Sequence, residues 1–289
     1  MFYSQYAQDE YLEGKNYKVI HKTKDIFMIH KTLFSFKCHY ISCLIYNIMT
    51  QKIHFVTYGN EMYNNSKKRL CEESTISKWF DNINICGPEN LSDSFKHEFN
   101  DILKKPRGAG YWIWKFDIIK QNLTKLANND ILIYMDAGCT INTNGKTRFN
   151  EYIELLNNSS ESIISFQLSH VEKKYTNKEL FHHFNMNVND NNGNSGMIMA
   201  TILIMKNTGK MMKIIDECIN VLRTDHLLVT DHYNKIKQCS EFKDNRHDQS
   251  ILSLVRKKHG SILLTDETWF TSFGNKDSLK YPFWATRKR

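Results

Sequence analysis

The 289-residue sequence predicts a layered α/β fold with a mainly parallel central sheet, and three observations carry that prediction. Short strand-like runs alternate with segments of helical spacing from residue 53 to residue 265, the pattern of successive βαβ units. The run Ile131–Met135 (ILIYM) is apolar at every position, as a strand covered on both faces requires. Hydrophobic residues make up 41% of the chain and charged ones 24%, which supports a sizeable core and excludes disordered and collagen-like classes.

Residues 1–50 stand apart, mixing aromatics, Lys and His without a period and ending in the apolar run Ile41–Met49. They are expected to form an N-terminal appendage, with one domain over residues 51–289. Ile53–Gly59 (IHFVTYG) reads as a β-rich run closed by glycine, followed by a helix over Ser66–Phe80. Residues 84–88 (NICGP) read as a short strand ending in a turn, and Asp93–Leu103 and Lys115–Ala127 have helical spacing. After Ile131–Met135, Asp136 and Gly138 punctuate the chain. Then follow a helix over Arg148–Leu156, a strand over Ile163–Leu168 and a helix over Asn177–Phe184. Asn185–Gly196, dominated by Asn, Asp and Gly, reads as a mobile loop. Ala200–Met205 reads as a strand, Lys210–Leu222 and Asp248–Lys258 as helices, and Ser261–Thr265 as the last strand.

Lys and Arg number 39 against 31 Asp and Glu, a formal charge of +8. That balance favours anionic partners such as phosphates, leaves contact with an acidic membrane surface open and disfavours a strongly cationic substrate. Nothing beyond net charge points to nucleic acid, and no nucleic-acid partner is expected. The seven cysteines are odd in number and form no C-x-x-C pair, which argues against a disulfide framework or a structural zinc site. Reduced thiols in the cytoplasm are the simplest reading. The first ten residues carry acids and amides where a signal peptide needs a basic start and an apolar core. Cys38–Gln51 is too short and too polar for a membrane span, so no transmembrane segment is expected.

Ligands of open α/β sheets bind beyond the carboxyl ends of the strands. That rule singles out Thr57–Asn60 (TYGN), Asp136–Cys139 (DAGC) and the loop before Ala200. A carboxylate at Asp136 would face the crevice and could hold a divalent cation or a sugar hydroxyl; it could equally open a turn or cap a helix. In Arg107–Lys115 (RGAGYWIWK), Gly108 and Gly110 let the backbone approach a ligand, while Arg107 and Lys115 offer charge to phosphates. Its aromatics could stack on a sugar or base, although core packing is the expected fate of Trp112 and Trp114. The run is neither a dinucleotide fingerprint nor a Walker loop. At the start of the last helix, His247, Asp248 and Gln249 could ligate a metal, accept substrate hydroxyls or orient phosphate; the alternative is a plain helix cap.

Taken together, His54–Asn60 (HFVTYGN), Arg107–Lys115, Ile131–Cys139 (ILIYMDAGC), Asn245–Ile251 (NRHDQSI) and Tyr281–Arg287 (YPFWATR) resemble a group of small glycosyltransferases. Such proteins occur in large DNA viruses and bacterial surface-polysaccharide clusters. The resemblance spans about residues 52–287. It implies the GT-A nucleotide-diphospho-sugar transferase fold, a Rossmann-like α/β/α sandwich. It also implies a nucleotide-sugar donor, a glycan, glycolipid or glycoprotein acceptor, usually a divalent cation (Mn²⁺ or Mg²⁺), and the cytoplasm, of a host cell if viral. Asp136 occupies the place of the first Asp of the GT-A Asp-x-Asp motif. The third place is Gly138, so one expected metal or ribose ligand is missing.

His247, Asp248 and Gln249 are similar to a segment that glycogenin-like retaining transferases place near the donor sugar. The likeness implies Asp248 and His247 as catalytic groups, with Asp248 on the transferred sugar and His247 on a phosphate or on a metal shared with Asp136. Thr57 and Tyr58 match the place where such enzymes hold the nucleotide. With Arg107, Gly108, Gly110, Lys115, Asp136, Ala137, Gly138 and Gln249 they form the expected donor site. Residues 1–12 resemble the opening of FkbM-like methyltransferases, but no methyl-donor motif follows, so a gene-fusion or frameshift remnant is expected there. The competing reading is a non-catalytic nucleotide-sugar or glycan-binding module. The missing second Asp favours it; the intact run Arg246–Gln249 argues against it.

Overall fold

Alternation along strand β1 (Ile53–Tyr58) sets the layering of the computed structural model, which describes residues 51–232 and 235–289. Val56 and Tyr58 enter one hydrophobic cluster and Phe55 the other, because successive strand side chains leave opposite faces. The expectations for residues 1–50, including Ile41–Met49 and the methyltransferase-like opening, lie outside the described residues.

In chain order there follow α1 (Asn64–Ser77), β2 (Asn82–Cys86), α2 (Asp93–Glu98), α3 (Trp114–Lys125), β3 (Ile131–Met135) and β4 (Thr140–Ile141). Next come α4 (Lys146–Asn157), β5 (Ile163–Val171), α5 (Lys178–His183), β6 (Gly196–Ile198) and β7 (Ile202–Lys206). The last elements are α6 (Gly209–Asp225), α7 (Asp248–His259), β8 (Ile262–Thr265) and β9 (Phe283–Trp284). Helices α3, α6 and α7 bury Ile119, Ile215 and Leu254 with Leu132 and Tyr134 of β3. Helices α1 and α4 bury Leu70 and Phe149 with Ile131, Ile133 and Met135 of the same strand. The result is the α/β/α sandwich the sequence predicts.

In the seven-stranded sheet β2, β1, β3, β7 and β5 lie side by side, with β6 further along β5 and β8 on the other edge of β5. Strands β1, β2, β3, β5 and β8 run in one direction, so the sheet is mainly parallel. β7 runs against both β3 and β5, and β6 also runs against β5. The apolar residues Ile202–Met205 read the same in either direction, so hydrophobic pattern could not reveal that reversal.

Three local departures bear on the site. The helix expected to reach Phe80 stops at Ser77, where Lys78 turns left-handed (φ 55°) and frees Trp79 to stack on Phe149 at 4.6 Å. The segment Asn185–Gly196, expected as a loop, contains a short helix, Asn191–Asn194, capped by the Asp190 carboxylate on the Asn192 N–H at 2.7 Å. The strand expected over Ala200–Met205 begins only at Ile202; residues 199–201 separate it from β6, and each of their three carbonyls is captured. Met199 O accepts from the Arg256 guanidinium at 2.6 Å, Ala200 O from Lys115 Nζ at 3.1 Å and Thr201 O from the Asp136 N–H at 2.9 Å. That interruption ties the end of β3 to α3 and α7. No helix of the described residues is long and apolar enough to cross a membrane.

Candidate active site

A cavity of about 260 Å³ opens beyond the carboxyl ends of β1 and β3. Its wall includes Tyr58 and Asn60 after β1, Asp136–Gly138 after β3, and Gly108, Trp112 and Trp114. Tyr58 stacks on Trp114 with ring centroids 3.9 Å apart. Both rings therefore pack together and face the cavity, so the choice between core and binding surface does not divide them.

The RGAGYWIWK run shapes this wall through an unusual backbone. Gly108, Ala109, Gly110, Tyr111 and Trp112 all have positive φ, from 49° to 97°, and form one left-handed turn. Each non-glycine residue held there costs about 1–2 kcal/mol, which the surrounding packing must offset. The glycines serve protein packing more than approach to a ligand. An added Cβ at Gly108 would fall 2.4 Å from the Trp112 ring, and one at Gly110 2.8 Å from Leu103 Cα. Gly110→Ala is therefore expected to lower the unfolding free energy by about 2–3 kcal/mol in urea titration. Gly209→Ala, where nothing lies within 4 Å of the added atom, should change stability by less than about 1 kcal/mol. Equal effects would remove the steric account of Gly110.

Beneath the floor lies a buried charge cluster. Lys115 Nζ donates to Asp248 Oδ2 at 2.5 Å and to Ala200 O at 3.1 Å, and stands 3.4 Å from Asp136 Oδ1. Burial alone would lower the Lys115 pKa, but the Asp136 and Asp248 carboxylates override it and hold the ammonium above its ordinary value. Burial pushes the Asp248 carboxyl up to about 6 despite Lys115 beside it. Tyr134 stays a phenol, raised by burial and by Asp136, and its hydroxyl donates to Asp136 Oδ1 at 2.6 Å. Asp136 alone of the three charged residues reaches the cavity, with a third of its side chain exposed.

Of the residues expected at a donor site, the structure brings Tyr58, Gly108, Asp136, Ala137 and Gly138 to the wall of this cavity. The other expected residues lie elsewhere. Thr57 is buried within β1, and Gly110 packs on Ile102 and Leu103. Arg107 is half exposed, 3.6 Å from Asp231. Gln249 donates to Met197 Sδ at 2.9 Å. Lys115, expected on a diphosphate, and Asp248, expected on the sugar, are committed to each other below the floor.

His247 is separated from the cavity by Trp112, whose ring stacks on it at 5.6 Å. Its Nδ1–H donates to Val229 O at 2.7 Å, and burial holds its pKa below the ordinary value. Its Nε2 is buried, lacks a hydrogen-bond partner among the described residues and stands 3.7 Å from Asp231 Oδ1. Hard divalent cations need several oxygen ligands. Among the described residues no group of three or more His, Cys, Asp or Glu is placed to hold a metal ion. The expected pair of ligands is not assembled: Asp136 faces the cavity and His247 does not. The residues present do not fit a dedicated metal centre.

Sequence reading missed Met62, Tyr63, Pro106 and Arg289 of the wall. Asn60 closes the TYGN motif that was singled out, so its position was legible; Arg289 stands in a basic stretch with no signal of where it folds. Asn60 Oδ1 is buried and without a hydrogen-bond donor among the described residues.

The chain matches no protein-family profile and no curated protein sequence. Similar solved structures include a glycosyltransferase involved in glycosylation of the major capsid of PBCV-1, at 14% identity, covering 81% of this chain and 91% of that one, with a TM-score of 0.46. The galactosyltransferase LgtC, in complex with donor and acceptor sugar analogues, is similar at 10% identity over 79% of this chain and 83% of its own (TM-score 0.41). Mouse xyloside xylosyltransferase 1 in its apo form is similar at 11% identity over 75% and 86% (TM-score 0.40).

Proposed function

We propose that the protein transfers a sugar, a hexose first among the candidates, from a nucleotide-diphosphate donor to a hydroxyl of a glycan, glycolipid or glycoprotein. The observation that carries this reading is the cavity at the carboxyl ends of β1 and β3, which joins aromatic faces to a strand-end carboxylate. A nucleotide sugar presents a flat base, many hydroxyls and an anionic diphosphate. Tyr58, Trp112 and Trp114 offer faces for base or sugar, and Asp136 accepts from hydroxyls. As the anomeric bond breaks, positive charge grows on the sugar and negative charge on the leaving diphosphate. Fixed protein charges aimed at those two places lower the barrier. Asp248 does not touch substrate in this reading; it positions Lys115, which in turn holds Asp136.

One observation favours binding without turnover: Asp248, which the resemblance implies as a catalytic group on the transferred sugar, is buried and ion-paired. A screen of nucleotide sugars, read by released nucleotide and paired with calorimetry, separates the two. Release from at least one donor is the expected result. Tight binding with no release from any donor would establish the binding module, and neither binding nor release would overturn both readings.

A further inference from the structure

At Gly138, the place of the missing second acid, an added Cβ would stand 3.2 Å from Lys288 O and 3.3 Å from Arg287 Cα. The backbone of residues 285–289 passes there as a strap. The Lys288 N–H and the Thr286 hydroxyl both donate to Gly138 O at 2.9 Å, and the Ser66 hydroxyl donates to Lys288 O at 3.1 Å. Pairing of β9 with β4 and an Ala285 N–H bond to Thr268 O at 2.8 Å anchor the strap from behind. A Cβ at 138 would press on the strap, which would have to give by a few tenths of an ångström to admit it.

The strap delivers Arg289 to the cavity wall, with its guanidinium 5.7 Å from the centre of the Tyr63 ring. Among the described residues of that wall only two have charged side chains, Asp136 and Arg289. The Asp136 charge is answered from below by Lys115 at 3.4 Å. Arg289 makes no ion pair with any described residue, so its charge is the one left facing the cavity. An arginine fork is always protonated and matches two phosphate oxygens at once.

We infer that the charge meeting the donor's diphosphate is the Arg289 guanidinium, in the role a divalent cation has in an Asp-x-Asp transferase. This rests on the nucleotide-sugar reading above. Gly138 is then not a lost ligand but the space that admits the strap. Arg289 is a binding residue for the leaving group, and binding of the diphosphate does not require metal.

The test is calorimetry of the full chain with UDP, GDP and inorganic pyrophosphate, in excess EDTA and in Mn²⁺. Wild-type affinity for at least one nucleoside diphosphate should agree within about twofold between the two conditions, and Arg289→Ala should weaken it by about 10-fold or more. Arg289→Lys should recover part of the loss, since charge returns without the fork. Arg289 is exposed, so thermal unfolding of these variants should match wild type. Gly138→Asp restores the second acid of the motif, yet it should weaken binding in both conditions by displacing the strap. Binding that requires Mn²⁺ and ignores Arg289→Ala overturns the inference and leaves glycosyl transfer standing. Stronger Mn²⁺-dependent binding by Gly138→Asp also overturns it. Metal-independent pyrophosphate binding that Arg289→Ala abolishes, with no donor consumed under any condition, supports the anion site and removes the transferase reading. No binding of any of the three anions overturns both.

Discussion

Lys115→Met is expected to lower the unfolding free energy by about 3–5 kcal/mol, because it leaves buried carboxylate charge without its partner. The side chains of Lys115 and Asp248 are 3% and 7% exposed and meet at 2.5 Å, so solvent cannot replace the lost ammonium. The loss should depend on pH. Burial raises the Asp248 carboxyl to about 6, above the ordinary carboxylate value of about 3.9. Between those values the folded state keeps a proton that the unfolded chain has released, so the Asp248 contribution to stability falls as pH rises through the window. Lys115, raised above its ordinary value, contributes stability that persists through neutral pH and is lost as pH climbs from the ordinary lysine value through its own folded value. Without Lys115, Asp248 has less reason to ionise and rises further. The deficit of Lys115→Met should therefore shrink between pH 8 and pH 5 in urea titrations, as protonation of Asp248 relieves the unpaired charge. Adding Asp248→Asn to Lys115→Met should recover much of the loss at pH 8, since the two residues share one interaction. A single variant within about 1 kcal/mol of wild type at pH 8 would mean that the cluster does not organise the floor.

Asp136→Ala is expected to reduce donor turnover by about 100-fold or more, the usual scale for removing a fixed electrostatic contact at a reacting centre. Asp136 is the one acidic residue of the wall among the described residues, and three groups fix its place. Its N–H donates to Thr201 O at 2.9 Å, its Oδ1 accepts from the Tyr134 hydroxyl at 2.6 Å, and Lys115 stands 3.4 Å away. Removing the carboxylate strands the buried Tyr134 hydroxyl, at a stability cost of about 1–3 kcal/mol. Asp136→Asn keeps an acceptor for that hydroxyl, so it should restore most of the stability while turnover stays low. A fall in kcat with an unchanged KM would place Asp136 at the transition state, and a rise in KM alone would confine it to donor binding. Full turnover in both variants would remove Asp136 from the reaction.

Legibility differed between strands for physical reasons. The run Ile131–Met135 announced β3 because a strand covered on both faces must be apolar throughout, and Asp136 announced the crevice because a carboxylate cannot remain in that layer unpaired. The direction of β7 was silent, since its residues are equally buried whichever way they run. Gly108 and Gly110 were read as room for a ligand; they are room for the Trp112 ring and for the backbone at Leu103. Local sequence shows that side-chain bulk is missing, but not which atoms fill the space.

By itself the sequence determined the α/β layering and the strand-end position of Asp136, and singled out the RGAGYWIWK run that lines the cavity. These follow from periodicity, burial and backbone preference, which act over a few residues. Tertiary structure alone decided which charges meet. Lys115 and Asp248 are 133 positions apart, and Arg289 reaches the Asp136 cavity only because a strap crosses Gly138. Ion pairing in a low-dielectric interior depends on distance in space, and no local pattern encodes that.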